Sequence, residues 1–402
     1  MRGLPRQCLD RLTHLVAPLR RPDRGSVIAP AAVHVPTTGE ALVTYLVQLV
    51  AAIGLSAVVG SLLLLWTGAN PLQVYSLLFR ESFFSPRSLM ISIQRATPLI
   101  LTSAAATMAF QAGAINMGLV AQFSVGASAA AMAGYALPAL PTVILVPLIL
   151  LISGCAGAAA GFVPALVKRI SGISEIVTGM ITNPVVTNGL SLVIGLIPWL
   201  SSASRGASRA GIQPNARLAK FSDILPYSLG PRSEANTGIF VSIAIVLMLA
   251  YWMRRSKTGY EIRMTRHNPR FAQMGGIQAG RVFFLGMMLS GAIAAMAGAI
   301  EVMGVWGSTR SGMLNVGEKD LIIALIGGQS FIGSLFAALA YGGLESGALS
   351  VAFYSPVPRP FIDILVELMV IFAALPSMRS FVSSGVSGYS DHLGGRYIGD
   401  PL

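Results

Sequence analysis

Charge is scarce in this sequence, and its absence is concentrated. Between Arg95 and Lys168 the chain runs 72 residues without an Asp, Glu, Lys or Arg. A soluble domain cannot keep charge off so long a stretch, because part of it must face water. A bilayer core enforces the absence: each span needs about 20 apolar residues, and a central charge costs roughly 2.5–3.5 kcal/mol. The run therefore reads as about three membrane helices joined by short turns. Cysteine is nearly missing too, with Cys8 in a polar N-terminal arm and Cys155 inside an apolar run. Without a Cys-x-x-Cys or a His/Cys cluster, a disulfide framework and a metal site are excluded. His14, His34, His267 and His392 all fall in arms or loops, away from any Ser or Cys nucleophile in a span, so no catalytic residues are assigned. No Gly-x-x-x-x-Gly-Lys-Ser/Thr phosphate loop occurs, so any ATP used here is bound by another subunit.

What is present is apolar and small. Hydrophobic residues make up 54% of the 402 and charged residues 11%, against about 25% charged in an average soluble protein. Glycine (43) and alanine are abundant, and small residues let membrane helices approach closely. The net charge of +12 sits in short loops between apolar runs, which fits a positive-inside bias and not nucleic-acid binding. The first forty residues hold six arginines and no signal-peptide core, and read as a cytoplasmic arm. A solvated segment is the plain reading of that arm, and a regulatory or membrane-surface role the alternative.

The pattern predicts an all-α, polytopic membrane protein of ten spans. They fall at 42–66, 96–113, 119–137, 142–167, 175–199, 236–253 and 282–304, two more divide 321–354 near the GGQSFIG stretch (327–333), and the last is 361–377. Residues 72–93 are amphipathic and placed outside, and 200–235 form the largest external loop. Residues 254–281, with seven basic residues and the single acid Glu261, are the strongest cytoplasmic signal. Both termini then lie in the cytoplasm, with an arm (1–40), a transmembrane domain (41–378) and a tail (379–402). Two Gly-rich interrupted stretches, 113–127 and 316–334, sit in opposite halves, the usual pointer to a transport path.

The cytoplasmic segment 259–277 is too short to fold alone. Gly259 to Arg266 continues a helix, Asn268 caps a second short helix with Pro269 in its first turn, and Gly275-Gly276 end it. A short helix across a membrane base suits docking into a partner's groove, and a solvated basic loop is the alternative.

These segments resemble a known family. Residues 259–304 are similar to the second-half signature of the branched-chain-type permeases of ABC importers, through Gly259, Arg263, Asn268, Gly276, Ile277, Ser290, Gly291, Ala292, Gly298 and Ala299. Residues 110–127 resemble the first-half signature through Asn116, Gly118 and Gln122. Glu175, Thr178 and Asn183 fit a third motif and 321–348 a fourth. The resemblance covers 42–378 and is nearest the longer nucleoside-type permeases. Val120-Ala121 replace a usual Glu-Gly, and Arg266 replaces a usual Gly.

The resemblance implies a type II-importer-like permease, not an enzyme, in the bacterial cytoplasmic (inner) membrane. It implies a second permease, identical or related, an ATPase subunit that holds ATP and Mg, and a periplasmic or lipid-anchored solute-binding protein. The chain itself binds no cofactor and no nucleic acid. Gly259, Glu261, Arg263, Asn268, Pro269, Gly276 and Ile277 are the expected ATPase-docking residues. Asn116, Gln122, Thr178 and Asn183 are candidates for the translocation path, with interhelical bonding the rival role. The solute is a nucleoside or simple sugar ahead of a branched-chain amino acid. Glu175, Glu301 and Glu345 fall near predicted span ends, and Asp363 and Glu367 near Arg359. The rivals are a stand-alone secondary transporter or facilitator, against which the poverty of central acids argues, and a membrane-embedded enzyme, for which no polar cluster is found.

Overall fold

The computed structural model describes residues 39–138, 140–196, 211–224, 235–308, 318–355 and 357–374. The arm before residue 39, the tail and part of the loop 200–235 lie outside the described residues. The helices are α1 (Gly39–Trp66), α2 (Pro71–Phe83), α3 (Pro86–Gln111), α4 (Leu119–Ala136), α5 (Thr142–Ser171), α6 (Glu175–Leu196), α7 (Gly238–Arg255), α8 (Lys257–His267), α9 (Pro269–Met274), α10 (Ala279–Glu301), α11 (Glu318–Ile326) and α12 (Phe331–Tyr354). A last helix, α13, covers 359–374. A π-helical turn, Val302–Trp306, extends α10. Among the described residues no strand forms, and one isolated bridge joins Lys220 to Asn236.

Local chemistry sets the ends. Asn70 accepts from the Leu72 amide at 3.0 Å and Pro71 opens α2, its missing N–H being one that a helix start leaves unbonded anyway. Lys168 and Arg169 fill the last turn of α5, opposite the negative end of the helix dipole, and Gly172 closes it in the left-handed region at φ +70°. Ser330 caps α12 by accepting from Gly333 at 3.0 Å.

The helices assemble around two central members, α3 and α10. Ser290 of α10 donates to the Ala105 carbonyl of α3 at 2.7 Å, and Gly286 lies against Ala112, so the two run antiparallel. On its other side α3 meets α12, again antiparallel: Ser346 donates to the Ser88 carbonyl at 3.1 Å, Gly342 touches Ala96, and Ser103 reaches the Ser334 carbonyl. Helix α5 packs on α10 backbone to backbone, Gly157 against Gly291 and Gly161 against the Met287 carbonyl, the use of glycine that close helix packing in a membrane requires. One end of the bundle gathers 112–118, 172–174, 256–278 and 327–330. The other gathers the turns near 67–70 and 137–141, the described part of the polar loop, and 302–308.

Among the described residues, six helices are long and apolar enough to cross a bilayer: α4, α5, α6, α7, α10 with its π turn, and α12. A bent pair, Ile53–Trp66 with α2 at 120°, raises this to seven. Helix α3 is long enough but less apolar, for a physical reason. Its Ala104, Ala105, Ala106 and Met108 are wholly covered by neighbouring helices, so it meets protein and not lipid. Two expectations are corrected. The span expected to open at residue 321 is α11, nine residues and about 14 Å long, half of a bilayer's roughly 30 Å core. The segment 72–93, expected to lie outside, divides between two helices that pack into the bundle. Residues 71–83 form α2, with Val74, Leu78 and Ser82 buried, and residues from 86 on are the first turns of α3.

Candidate functional site

At the basic end, a corner formed by α7, α8 and α9 projects from the bundle. Ser256 caps α8 by accepting from the Gly259 amide at 2.9 Å. Gly259 lies so close to the Met253 carbonyl that no β-carbon fits there. Arg263 donates to that same carbonyl, so it ties α8 back onto α7 instead of pointing outward. Asn268 Oδ1 accepts from the Phe271 amide at 3.0 Å and starts α9, with Pro269 in its first turn. Gly276, at φ +82°, turns the chain out of α9, and the Ile277 amide closes on the Ala272 carbonyl at 2.9 Å.

This corner bares apolar surface. Phe271 is 61% and Met274 81% exposed. Between α8 and α9 lies a pocket of about 260 Å³ lined by Lys257, Tyr260, Glu261, Phe271, Gly276 and Ile277, among others. Of the seven docking candidates, Gly259, Arg263, Asn268, Pro269 and Gly276 shape the corner, while Glu261 and Ile277 line its pocket.

One residue joins the corner to the bundle interior. Arg266, 8% exposed, donates from Nη2 to Gln329 Oε1 at 2.6 Å. Burial pulls its guanidinium down to about 10. Gln329 sits at the break between α11 and α12 with φ +53°, the single non-glycine residue at positive φ among those described. Gln111, at the end of α3, donates to the Gln329 carbonyl at 2.7 Å. Nearby, Lys168 pairs with Glu175 at 2.7 Å and lies over the Phe283 ring, holding the α5–α6 turn against α10.

The four path candidates bond to one another, to other side chains and to backbone. Asn116 donates to Gln122 Oε1 at 2.7 Å and to Ser290 Oγ at 2.8 Å, and Gln122 donates back to Asn116 Oδ1. Both are fully buried. Asn183 accepts from the Ala121 amide at 3.1 Å and donates to the Met117 carbonyl at 2.8 Å, bridging α6 to the start of α4. Thr178 donates to the Ser174 carbonyl within its own helix. These amides spend their hydrogen bonds on neighbouring helices.

Charge inside the bundle lies elsewhere. Arg95 of α3 faces Glu345 of α12 at 3.7 Å. Glu301, at the end of α10, is within electrostatic reach of both and lies beside Trp306 of the π turn. A second tier has Lys319 of α11 paired with Glu367 of α13 at 3.1 Å, and Tyr341 of α12 donating to that carboxylate at 2.8 Å. Thr102 of α3 donates to buried Asp320 of α11. The expectation that Glu345 sits at a span end is corrected, because it lies nine residues inside α12. Glu367 likewise pairs with Lys319, whereas Asp363 does pair with Arg359, at 3.6 Å. A lone Arg95 at the edge of the charge-free run and a Glu within a Gly-rich helix were the available signals. Their meaning depended on the α3–α12 register.

Residues 88–375 match the family described as "Branched-chain amino acid transport system / permease component". A guanosine ABC transporter permease protein of Bacillus subtilis is 28% identical over 340 residues, 84% of this chain and 95% of that protein. A nucleoside ABC transporter permease protein of Lactococcus lactis is 27% identical, covering 81% of this chain and 89% of its own length. A glucose ABC transporter permease protein of Haloferax volcanii is 27% identical over 78% of this chain and 83% of its own. No solved structure matches the chain.

Proposed function

The chain belongs to the permease family of the branched-chain amino acid transport system, and from that premise we propose that it is the membrane subunit of an ATP-driven importer of a nucleoside or simple sugar. The relatives named for guanosine, nucleosides and glucose, each matching most of their own length, support that solute class. In this reading the chain carries solute across the bacterial inner membrane and leaves ATP and Mg to a partner ATPase. It pairs with a second permease, identical or related, and receives solute from a periplasmic or lipid-anchored binding protein. The basic end faces the cytoplasm, in keeping with the positive-inside bias, and both termini lie there.

The observation that carries the ATPase assignment is the corner at 256–277. A capped six-residue helix with exposed Phe271 and Met274 is costly to leave in water, and its size suits a groove on a partner. Nucleotide-driven closure of the ATPases then bears on the permease through that corner, favouring one of its conformations over the other. The test is purification of the tagged chain from its native membrane with mass spectrometry of what accompanies it. An ATPase should be recovered with the chain and lost from Phe271→Asp/Met274→Asp. A chain that arrives alone yet moves guanosine or glucose in vesicles without ATP refutes the importer.

A further inference from the structure

We infer that Arg95, Glu301, Trp306 and Glu345 form a recognition site, within the membrane, for the hydroxyl groups and ring of a passing sugar or nucleoside. This rests on the permease reading above and names the side chains that meet its solute.

The first argument is depth. Arg95 is nine residues into α3 and Glu345 nine residues from the end of α12, each about 14 Å from a helix end. The contacts Ser88–Ser346 and Ala96–Gly342 set the two at one height. Glu301, at the end of α10 and next to the outer turn 302–308, lies within electrostatic reach of both. Ionisable groups at such depth face water or a partner, and mark solute paths by default.

The second argument is that this group is open while its surroundings are closed. Arg95 and Glu345 stand 3.7 Å apart with side chains 41% and 25% exposed, and Arg95 Nε has no acceptor. The tier beside it is closer, with Lys319, Glu367 and Tyr341 linked at 3.1 and 2.8 Å. The amides on α4 and α6 are likewise used up by one another and by backbone. Arg95 and Glu345 keep hydrogen-bonding capacity to spare.

The third argument is chemistry. Two carboxylates against one guanidinium make the site rich in acceptors, which suits a ligand rich in hydroxyl donors. One carboxylate accepts from two neighbouring hydroxyls at once, and Arg95 can donate to a ring oxygen. Trp306, partly exposed, offers ring surface to the apolar face of a sugar or a base. A branched-chain amino acid fits worse. Its charged ends could meet Arg95 and Glu345, but its side chain would fall on the charged tier of Lys319 and Glu367.

The test uses the assembled transporter with its ATPase and binding protein in proteoliposomes, and compares uptake of guanosine with 2′-deoxyguanosine. The binding protein's own preference is common to all permease variants and cancels between them. Glu345→Gln and Glu301→Gln should lower the guanosine to 2′-deoxyguanosine ratio by about tenfold or more, the worth of a hydrogen bond to a charged group, while the complex still assembles. An unchanged ratio, or uptake of leucine in place of nucleosides, overturns the site. If the wild-type chain captures no ATPase and shows no ATP-dependent uptake of guanosine or glucose, it is the permease reading that fails instead.

Discussion

The Arg266–Gln329 bond should behave as a unit whose halves cannot be removed separately at equal cost. Burial lowers the Arg266 guanidinium from its usual 12.5 to about 10, a desolvation cost of about 3 kcal/mol at 1.36 kcal/mol per pKa unit. Its bond to Gln329 returns about 1.5–3 kcal/mol, so the charge is close to neutral for stability. Arg266→Met therefore removes both terms and should cost about 1–2 kcal/mol, mostly from the buried Gln329 amide left without its donor. Gln329→Met keeps the backbone demand at φ +53° similar but strands the guanidinium, at about 3–5 kcal/mol. The double variant should return close to wild type, leaving a coupling of about 4–7 kcal/mol where independent sites agree within about 0.5 kcal/mol. Unfolding free energies from SDS titration in mixed micelles, followed by helical circular dichroism, measure each corner of the cycle. Costs that simply add would refute the reasoning, and Arg266 would then be a surface residue in solution whatever its burial here.

Further outcomes are expected. Asn268→Ala removes the cap of α9 and should cost about 1 kcal/mol locally, releasing the ATPase in pull-down while the bundle's melting profile is unchanged. Gly291→Leu places a side chain against the Gly157 carbonyl, and should abolish membrane-inserted, detergent-stable protein on size-exclusion chromatography. Asn116→Leu leaves Gln122 and Ser290 short of partners in the interior, and should lower stability by about 1–3 kcal/mol with guanosine and 2′-deoxyguanosine uptake falling together. A selective loss of one solute would place Asn116 on the path.

Membrane character and most helix limits were legible because they depend on neighbouring residues. Asn268-Pro269 and Gly275-Gly276 bracket α9 by cap chemistry that needs no tertiary information. The limits of reading lie where meaning depends on a partner distant in sequence. Arg95 marks the end of a charge-free run, and only the contact with Glu345, 250 positions later, makes it part of a polar group. Asn116 and Gln122 drew attention as amides in a membrane, yet they are satisfied by Ser290 and each other. Helix α11 failed for a third reason. The break at the GGQSFIG stretch was legible from its glycines, and what escaped was that the piece before it, Glu318–Ile326, is too short to cross a bilayer.

The glycine contacts along α10 carry a mechanical consequence. Gly157, Gly161 and Gly291 between α5 and α10, and Gly126 and Gly298 between α4 and α10, bring main chain onto main chain. Side chains can yield by changing rotamer, but peptide groups in contact have no such slack. Helices α4, α5 and α10 therefore cannot slide past one another and travel as a welded block. Any stroke delivered at the 256–277 corner must be absorbed at a joint, and the structure offers one where α8 reaches past the block to the α11–α12 break. The molecule is divided into a chassis that keeps its shape and a short lever that does not have to.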